Sequence, residues 1–396
     1  MFSILPLCLG TFALGIDAYI MAGLLPGIGS SFNVPASVAG QTVTIFTACY
    51  AITAPLFGAL TAGKPVRRVL GVALVLFTLA NVLSATATGF STLLVSRAAA
   101  GVGAGLYSPI AFSAAASMVS LSQRGRALGL IVGGLALGTA VGVPGGLVLA
   151  EHFGWRSAMW LIVMLGSIAF AGVVLLMPKV AAPSPPSFRQ RIAVMVDARV
   201  AATIGVSFVT SAASIGLYTF IAPLLHATTR IPDPLPYLWM WSLGGIVGVY
   251  FCGALIDATG RPEWLMSVVL VLMFAVFMSM GMALSHQVSA FALFGVWGVA
   301  AWSSQAPQQH RLLSLHPDKG SVVVALQSSA HYLGSAAGAA LGGLALAAGF
   351  HLVQLPMLSA GLCVLAFAGQ LGVLAMARSD RLRAGRVAVL IEGDLS

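Results

Sequence analysis

Leu137–Leu149 reads LGTAVGVPGGLVL, and Leu333–Leu346 reads LGSAAGAALGGLAL. The two stretches lie 196 positions apart, with one residue inserted before the Gly-Gly of the second. A second pair repeats at almost the same interval. GALTAGKPVRR, Gly58–Arg68, returns 195 positions later as GALIDATGRP, Gly253–Pro262. Two matched pairs, each about half a chain apart, argue for a duplicated unit.

Composition says what the unit is made of. The chain is 59% hydrophobic and 7% charged, whereas a soluble domain carries roughly 25% charged residues. Such a chain cannot cover its apolar surface with polar groups, so its solvent is lipid. A spanning helix takes about 20 apolar residues. Runs bounded by charges, Pro and Gly fall at 4–29, 38–60, 69–88, 91–117, 127–150, 157–177, 200–224, 236–257, 264–284, 289–307, 321–348 and 352–376. The predicted fold is therefore an all-α membrane protein, with twelve transmembrane helices in two pseudo-symmetric six-helix bundles. Parallel six-helix repeats are a transporter plan, with the substrate site between the halves. The expected division is 1–177 for the first half, 178–199 for a linker, 200–377 for the second half and 378–396 for a tail. Pro178, Pro183, Pro185 and Pro186 keep the start of the linker extended. Phe188 to Val200 spaces apolar residues among arginines and can lie on the membrane surface as an amphipathic helix.

Charge sets the orientation. With the first residue on the cytoplasmic side, 16 of the 19 Lys and Arg fall in inside segments, and only Arg156 and Arg230 fall outside. That bias predicts cytoplasmic termini. It also accounts for the formal charge of +9 without nucleic acid. The N-terminal run has no basic leader and is too long for a cleaved signal, so it reads as the first spanning helix. Cys8, Cys49, Cys252 and Cys363 are far apart with no C-x-x-C pair, so they read as small apolar fillers. No cofactor or metal is expected. No serine elbow, H-E-x-x-H pair or phosphate-binding Gly-x-x-x-x-Gly-Lys-Ser/Thr loop appears, which argues against an intramembrane enzyme and against direct use of ATP.

Six stretches together carry a family likeness. The loop after the eighth run reads Gly253-x-Leu255-x-Asp257-x-x-Gly260-Arg261. Its first-half partner keeps Gly58, Leu60, Arg67 and Arg68, but has Ala62 in place of the acid. The fourth run carries Arg97-x-x-x-Gly101-x-Gly103, and the fifth carries Gly138-x-x-x-Gly142-Val143-Pro144-Gly145-Gly146. DAYIMAGLLP, Asp17–Pro26, lies in the first run, and Gly154-Trp155-Arg156 follows the fifth. The chain resembles the major facilitator superfamily, and within it the twelve-helix drug:proton antiporter branch that includes bacterial sugar-efflux and chloramphenicol-resistance permeases. The resemblance spans essentially the whole chain. It implies a carrier in a bacterial inner membrane that exports a small organic molecule, a drug, sugar or metabolite, in exchange for protons; a duplicated chain already builds a two-half pathway, so a monomer is expected. A proton-coupled importer or facilitator shares the same plan. The resemblance also implies a loop latch in each half. Asp257 with Arg261 would keep the second latch, and the first has lost its carboxylate.

Few residues can carry chemistry inside lipid. Of the ten acidic residues, Asp17 alone sits mid-helix, about 13 residues or ~20 Å from the helix start. An acid at that depth is by default a functional candidate; the plainer reading is a cap on a kink. Arg97, the one basic residue inside a run, lies within a long side chain's reach of Asp17 or clamps a helix break. His331 shares a helix face with Gln327 and is a second candidate for proton coupling, or else a satisfied structural histidine. Tyr50, Tyr107, Tyr218, Trp302, Gln305 and Gln327 are candidates for lining a substrate cavity, although membrane aromatics also serve as packing or interface anchors.

Overall fold

The computed structural model describes residues 4–61, 64–120, 123–178, 194–228, 234–316 and 319–393. Among them every regular element is helical, and all twelve apolar runs have become helices. In chain order they are α1 (Leu5–Phe32), α2 (Gln41–Leu60), α3 (Val66–Ala85), α4 (Phe90–Ser117), α5 (Arg124–Leu137 and Val143–Phe153), α6 (Trp155–Leu176), α7 (Ala198–Thr219 and Ile221–Ala227), α8 (Leu235–Thr259), α9 (Pro262–Ala283), α10 (Gln287–Ser303 and Gln305–Leu315), α11 (Gly320–Ala347) and α12 (Leu355–Gly393). Ala62 and residues 179–193, with most of the predicted linker, lie outside the described residues. α12 runs without a break through the position where a tail was expected to start.

Three helices are interrupted, each four residues before a proline. A proline cannot donate to the carbonyl four residues back, and its ring clashes with it. Pro223 faces the carbonyl of Thr219, where α7 breaks at Phe220. Pro307 faces that of Ser303, where α10 breaks at Ser304; the Cys252 thiol bonds the Ser303 carbonyl instead, at 3.2 Å. Pro144 faces Ala140, and there α5 widens into a π-helical stretch, Gly138–Gly142, one of the recognised ways a helix absorbs such a defect.

The repeat is visible in the packing. In lipid, helices associate through close contact of small residues rather than by the hydrophobic effect. Gly138 of α5 lies on the Phe12 carbonyl of α1, so that an added Cβ would collide with backbone. Gly334 of α11, 196 positions on, lies in the same way on the Phe208 carbonyl of α7, 196 positions after Phe12. Gly101 of α4 rests on the Phe46 carbonyl of α2, and Gly298 of α10 on the Trp241 carbonyl of α8. One contact changes in kind: Gly105 of α4 lies on the Tyr50 carbonyl of α2 in the first half, whereas Gly245 of α8 lies against the Trp302 ring of α10 in the second.

Helices α1–α6 form one bundle and α7–α12 the other. The bundles meet where α2 packs on α11, α5 on α8, and α1 on α7. At the end away from residue 5 they touch: Gly40 lies under the Phe220 ring, and Gly343 lies against Ser37 and Gln41. At that same end Trp155 donates to the Ser31 hydroxyl at 2.9 Å and Arg156 to the Ala87 carbonyl at 2.9 Å. The Gly-Trp-Arg stretch thus ties the start of α6 to the ends of α1 and α3.

At the opposite end Asp197 caps α7. It accepts from the Arg199 backbone and guanidinium at 2.9–3.1 Å and from His316, below α10, at 3.3 Å. The Arg199 side chain holds the Asp197 carboxyl down to about 2.

Two outcomes follow. Gly138→Ala will lower the thermal midpoint of the purified protein, whereas Gly145→Ala, whose added methyl meets no atom within 4 Å, will leave it unchanged. The stabilising effect of Asp197 is complete above about pH 4 and is lost as pH falls toward 2, because the folded state depresses this group. The gap in thermal midpoint between the parent and Asp197→Asn will accordingly be full at pH 7 and will narrow between pH 4 and pH 2.

Candidate functional site

Asp17 is fully buried at the middle of α1. Arg97 reaches it from α4: Nη1 donates to Asp17 Oδ1 at 2.5 Å, and Nη2 donates to the Asp17 carbonyl at 3.3 Å. Arg97 is itself fully buried, and its guanidinium lies 4.4 Å over the Phe46 ring of α2. Asn81 of α3 completes the group. Its Nδ2 donates to Asp17 Oδ2 at 3.4 Å and to its own i−4 carbonyl, Phe77, at 3.0 Å. Four helices of the first half thus converge on one charge pair.

Asp17 and Arg97 were legible in the sequence as lone charges in apolar runs. Asn81 and Phe46 were not singled out; the signal for Asn81 was a lone amide within the apolar run that forms α3. The second half does not repeat the cluster. The positions matching Asp17, Asn81 and Arg97 by the repeat are Ala213, Phe277 and Phe294, and none of these can hold a charge.

A second constellation fills the seam between the halves. Tyr19, two residues beyond Asp17 on α1, has its ring centroid 6.0–6.1 Å from those of Tyr218 (α7), Trp241 (α8) and Trp302 (α10). Tyr50 of α2 meets Tyr332 of α11 at 3.8 Å. Beside Tyr332, His331 Nδ1 and Gln305 Nε2 are 2.7 Å apart, and Gln327 Nε2 donates to the Gln305 carbonyl at 3.1 Å. The Ser211 hydroxyl donates to the His331 carbonyl at 2.7 Å.

The structure therefore brings Tyr50, Tyr218 and Trp302 into ring contacts across the halves, with Gln305, Gln327 and His331 joined to one another beside Tyr332 in the second half. Ring contacts link His331 to Arg97 stepwise, through Tyr332, Tyr50 and Phe46. Tyr107 does not join the seam. It lies buried inside the first half, where its hydroxyl donates to the Leu7 carbonyl at 3.1 Å and fills the space left by Gly10.

The motif glycines divide by role. Gly138, Gly142 and Gly146 seat α5 on α1, with buried Pro144 between them, while Gly145 and Gly253 face open space. Gly58 lies in the last turn of α2. Arg67 donates to the Val174 carbonyl and so joins α3 to α6, whereas Arg68 is exposed. Gly260 caps α8 in the left-handed region at φ 59°. Asp257 and Arg261 are both exposed and form no ion pair among the described residues; water competes for both charges, and an exposed pair gains little. A buried acid–base pair lies close by, between Glu263 and Arg311, at 2.7 Å with side chains 10% and 6% exposed. Gln370 of α12 donates to the Glu263 carbonyl at 2.7 Å, which binds α9, α10 and α12 together.

The family model described as Major Facilitator Superfamily matches residues 7–339. The chain belongs to the Major Facilitator Superfamily. Relatives within it include the inner membrane transport protein YdhP of Escherichia coli (strain K12), 28% identical over 91% of this chain and 92% of that protein. A chloramphenicol resistance protein of Streptomyces lividans is 27% identical over 82% of this chain and 84% of its own length. The crystal structure of the human organic anion transporter MFSD10 (TETRAN) superposes with a TM-score of 0.67 at 17% identity, covering 93% of this chain and 98% of that one. That likeness is one of fold. As a Major Facilitator Superfamily member, the chain is a multi-pass membrane transport protein that carries small molecules, not an enzyme. Among the described residues nine helices are each long and apolar enough to cross a bilayer.

Breaking a buried ion pair leaves an uncompensated charge and costs about 3–5 kcal/mol, whereas replacing both partners by apolar groups is often neutral. Asp17→Asn will therefore destabilise the superfamily fold by about that amount in thermal or denaturant unfolding in detergent. Adding Arg97→Leu to it will restore most of the loss.

Proposed function

We propose that the protein is a secondary active transporter that exports a small organic molecule in exchange for protons by alternating access. The observation that carries this is the fully buried Asp17–Arg97 pair at mid-helix, 2.5 Å apart. Ionised Asp17 holds the Arg97 arm and the Asn81 amide. A proton on Asp17 removes the charge that holds them and loosens α1 from α4. Tyr19 rides on the same helix and packs against three rings of the other half, so a shift of α1 is felt in the seam. Substrate entering the seam acts in the reverse sense, pressing on Tyr19 and Tyr50. His331, paired with Gln305, is the second proton-coupling candidate.

Export is supported by the chloramphenicol resistance relative and by the Gly-Pro stretch of α5. The basic loops support cytoplasmic termini in a bacterial inner membrane, with residues 178–199 linking the halves 1–177 and 200–377, and with 378–396 as a tail. In that orientation the contacts of Gly40 and Gly343 close the outer side, and a single chain completes the pathway as a monomer.

The test is proton movement in everted membrane vesicles, read with a pH-sensitive dye while drugs, sugars and metabolites are added. We expect at least one compound to collapse the gradient with the parent protein and to leave it intact with Asp17→Asn. Transport of a compound without gradient loss, identical in parent and variant, would sink proton coupling through Asp17.

A further inference from the structure

We infer that the aromatic seam takes a neutral, planar molecule that presents hydrogen-bond acceptors, and that it discriminates against organic cations. This rests on reading the seam as the substrate site. Three buried donors in it have no hydrogen-bond partner: the Tyr218 hydroxyl, Trp241 Nε1 and Trp302 Nε1. They lie together, with ring centroids 4.4 Å apart for Tyr218 and Trp241 and 6.0 Å apart for Trp241 and Trp302. Trp297 is the contrast. Its ring also touches Trp241 and Tyr218, but its Nε1 donates to the Ser214 hydroxyl at 2.9 Å. The Trp297 donor is thus satisfied inside the bundle, whereas the three donors beside it are not.

An indole N–H can only donate, so its complement is an acceptor such as a carbonyl, nitro or ether oxygen. The flanking ring faces suit a flat, apolar body. Ring faces also attract cations, but a cation leaving water needs a counter-charge. The described acidic side chains are Asp17, Glu151, Asp197, Asp257 and Glu263; the last four stand at helix ends, and the charge of Asp17 is taken by Arg97. An anion fares no better, since Arg97 is bonded to Asp17. The donors also sit on one side of the seam. All three belong to the second half, where Trp302 occupies the place that Gly105 holds in the first. The first half thus supplies the charge pair and the second supplies the recognition.

The experiment is equilibrium dialysis on the purified full chain in detergent, with chloramphenicol as the neutral probe and tetraphenylphosphonium as the cationic one. Tyr218→Phe and Trp302→Phe keep a ring and remove the donor; Tyr107→Phe removes a hydroxyl outside the seam, and thermal midpoints confirm that each variant is folded. We expect saturable chloramphenicol binding, weakened about five- to tenfold by Tyr218→Phe and by Trp302→Phe and unchanged by Tyr107→Phe. Tetraphenylphosphonium should bind at least about tenfold more weakly than chloramphenicol. Equal binding of the cation, failure of both probes to bind, or folded donor-removal variants that bind like the parent would each overturn the inference. Binding in detergent needs no gradient, so a protein that binds as expected but moves no protons refutes the exchange reading and leaves this one standing. Proton exchange with charge-blind binding does the opposite.

Discussion

A carboxylate in the middle of a lipid-spanning helix must find its counter-charge inside the protein. That requirement organises the first half of this molecule. Asp17 fixes Arg97, and Arg97 in turn fixes the spacing of α1 from α4 and lies across Phe46 of α2. Asn81 brings α3 to the same point. The glycines do the complementary work. They let α5 settle directly on the backbone of α1, so the helix that bears the acid is gripped on one side by charge and on another by close packing.

Much of this was legible in the sequence. Hydrophobic runs gave all twelve helices, because a bilayer imposes one length on every span. The repeat was legible as letters, and it proved to be a repeat of contacts: Phe12 and Gly138 reappear as Phe208 and Gly334. Asp17 and Arg97 were visible because lone charges stand out against lipid. Asn81 was harder to see, since an uncharged amide is a weak signal, and its role depends on which way α3 faces. The Glu263–Arg311 pair was missed for a related reason. Its partners are 48 residues apart, whereas Asp257 and Arg261 share one motif. The family resemblance implied a latch there, but exposure to water removes the incentive to form it. Tyr107 shows the limit of composition: a tyrosine in a run can face the pathway or a neighbouring helix, and only packing decides.

The helix interruptions show the same logic at the backbone level. Pro144, Pro223 and Pro307 each disturb the helix at the carbonyl four residues back. Two of the resulting irregularities lie in the second half, in α7 and α10, the helices that carry Tyr218 and Trp302. The third lies in α5, which packs across to α8. Backbone irregularity is therefore concentrated in helices that meet at the seam.

The exchange of Gly105 and Tyr50 for Trp302 and Gly245 has a further consequence. The first half puts its glycine on α4, against the backbone of Tyr50, and the second puts its glycine on α8, against the ring of Trp302. A duplicated scaffold of this kind can diverge in chemistry without any change of architecture. For an engineer, the proposed roles would make the two halves separate dials, with edits around Gly245 and Trp302 aimed at the cargo and edits around Asp17 aimed at the energy source.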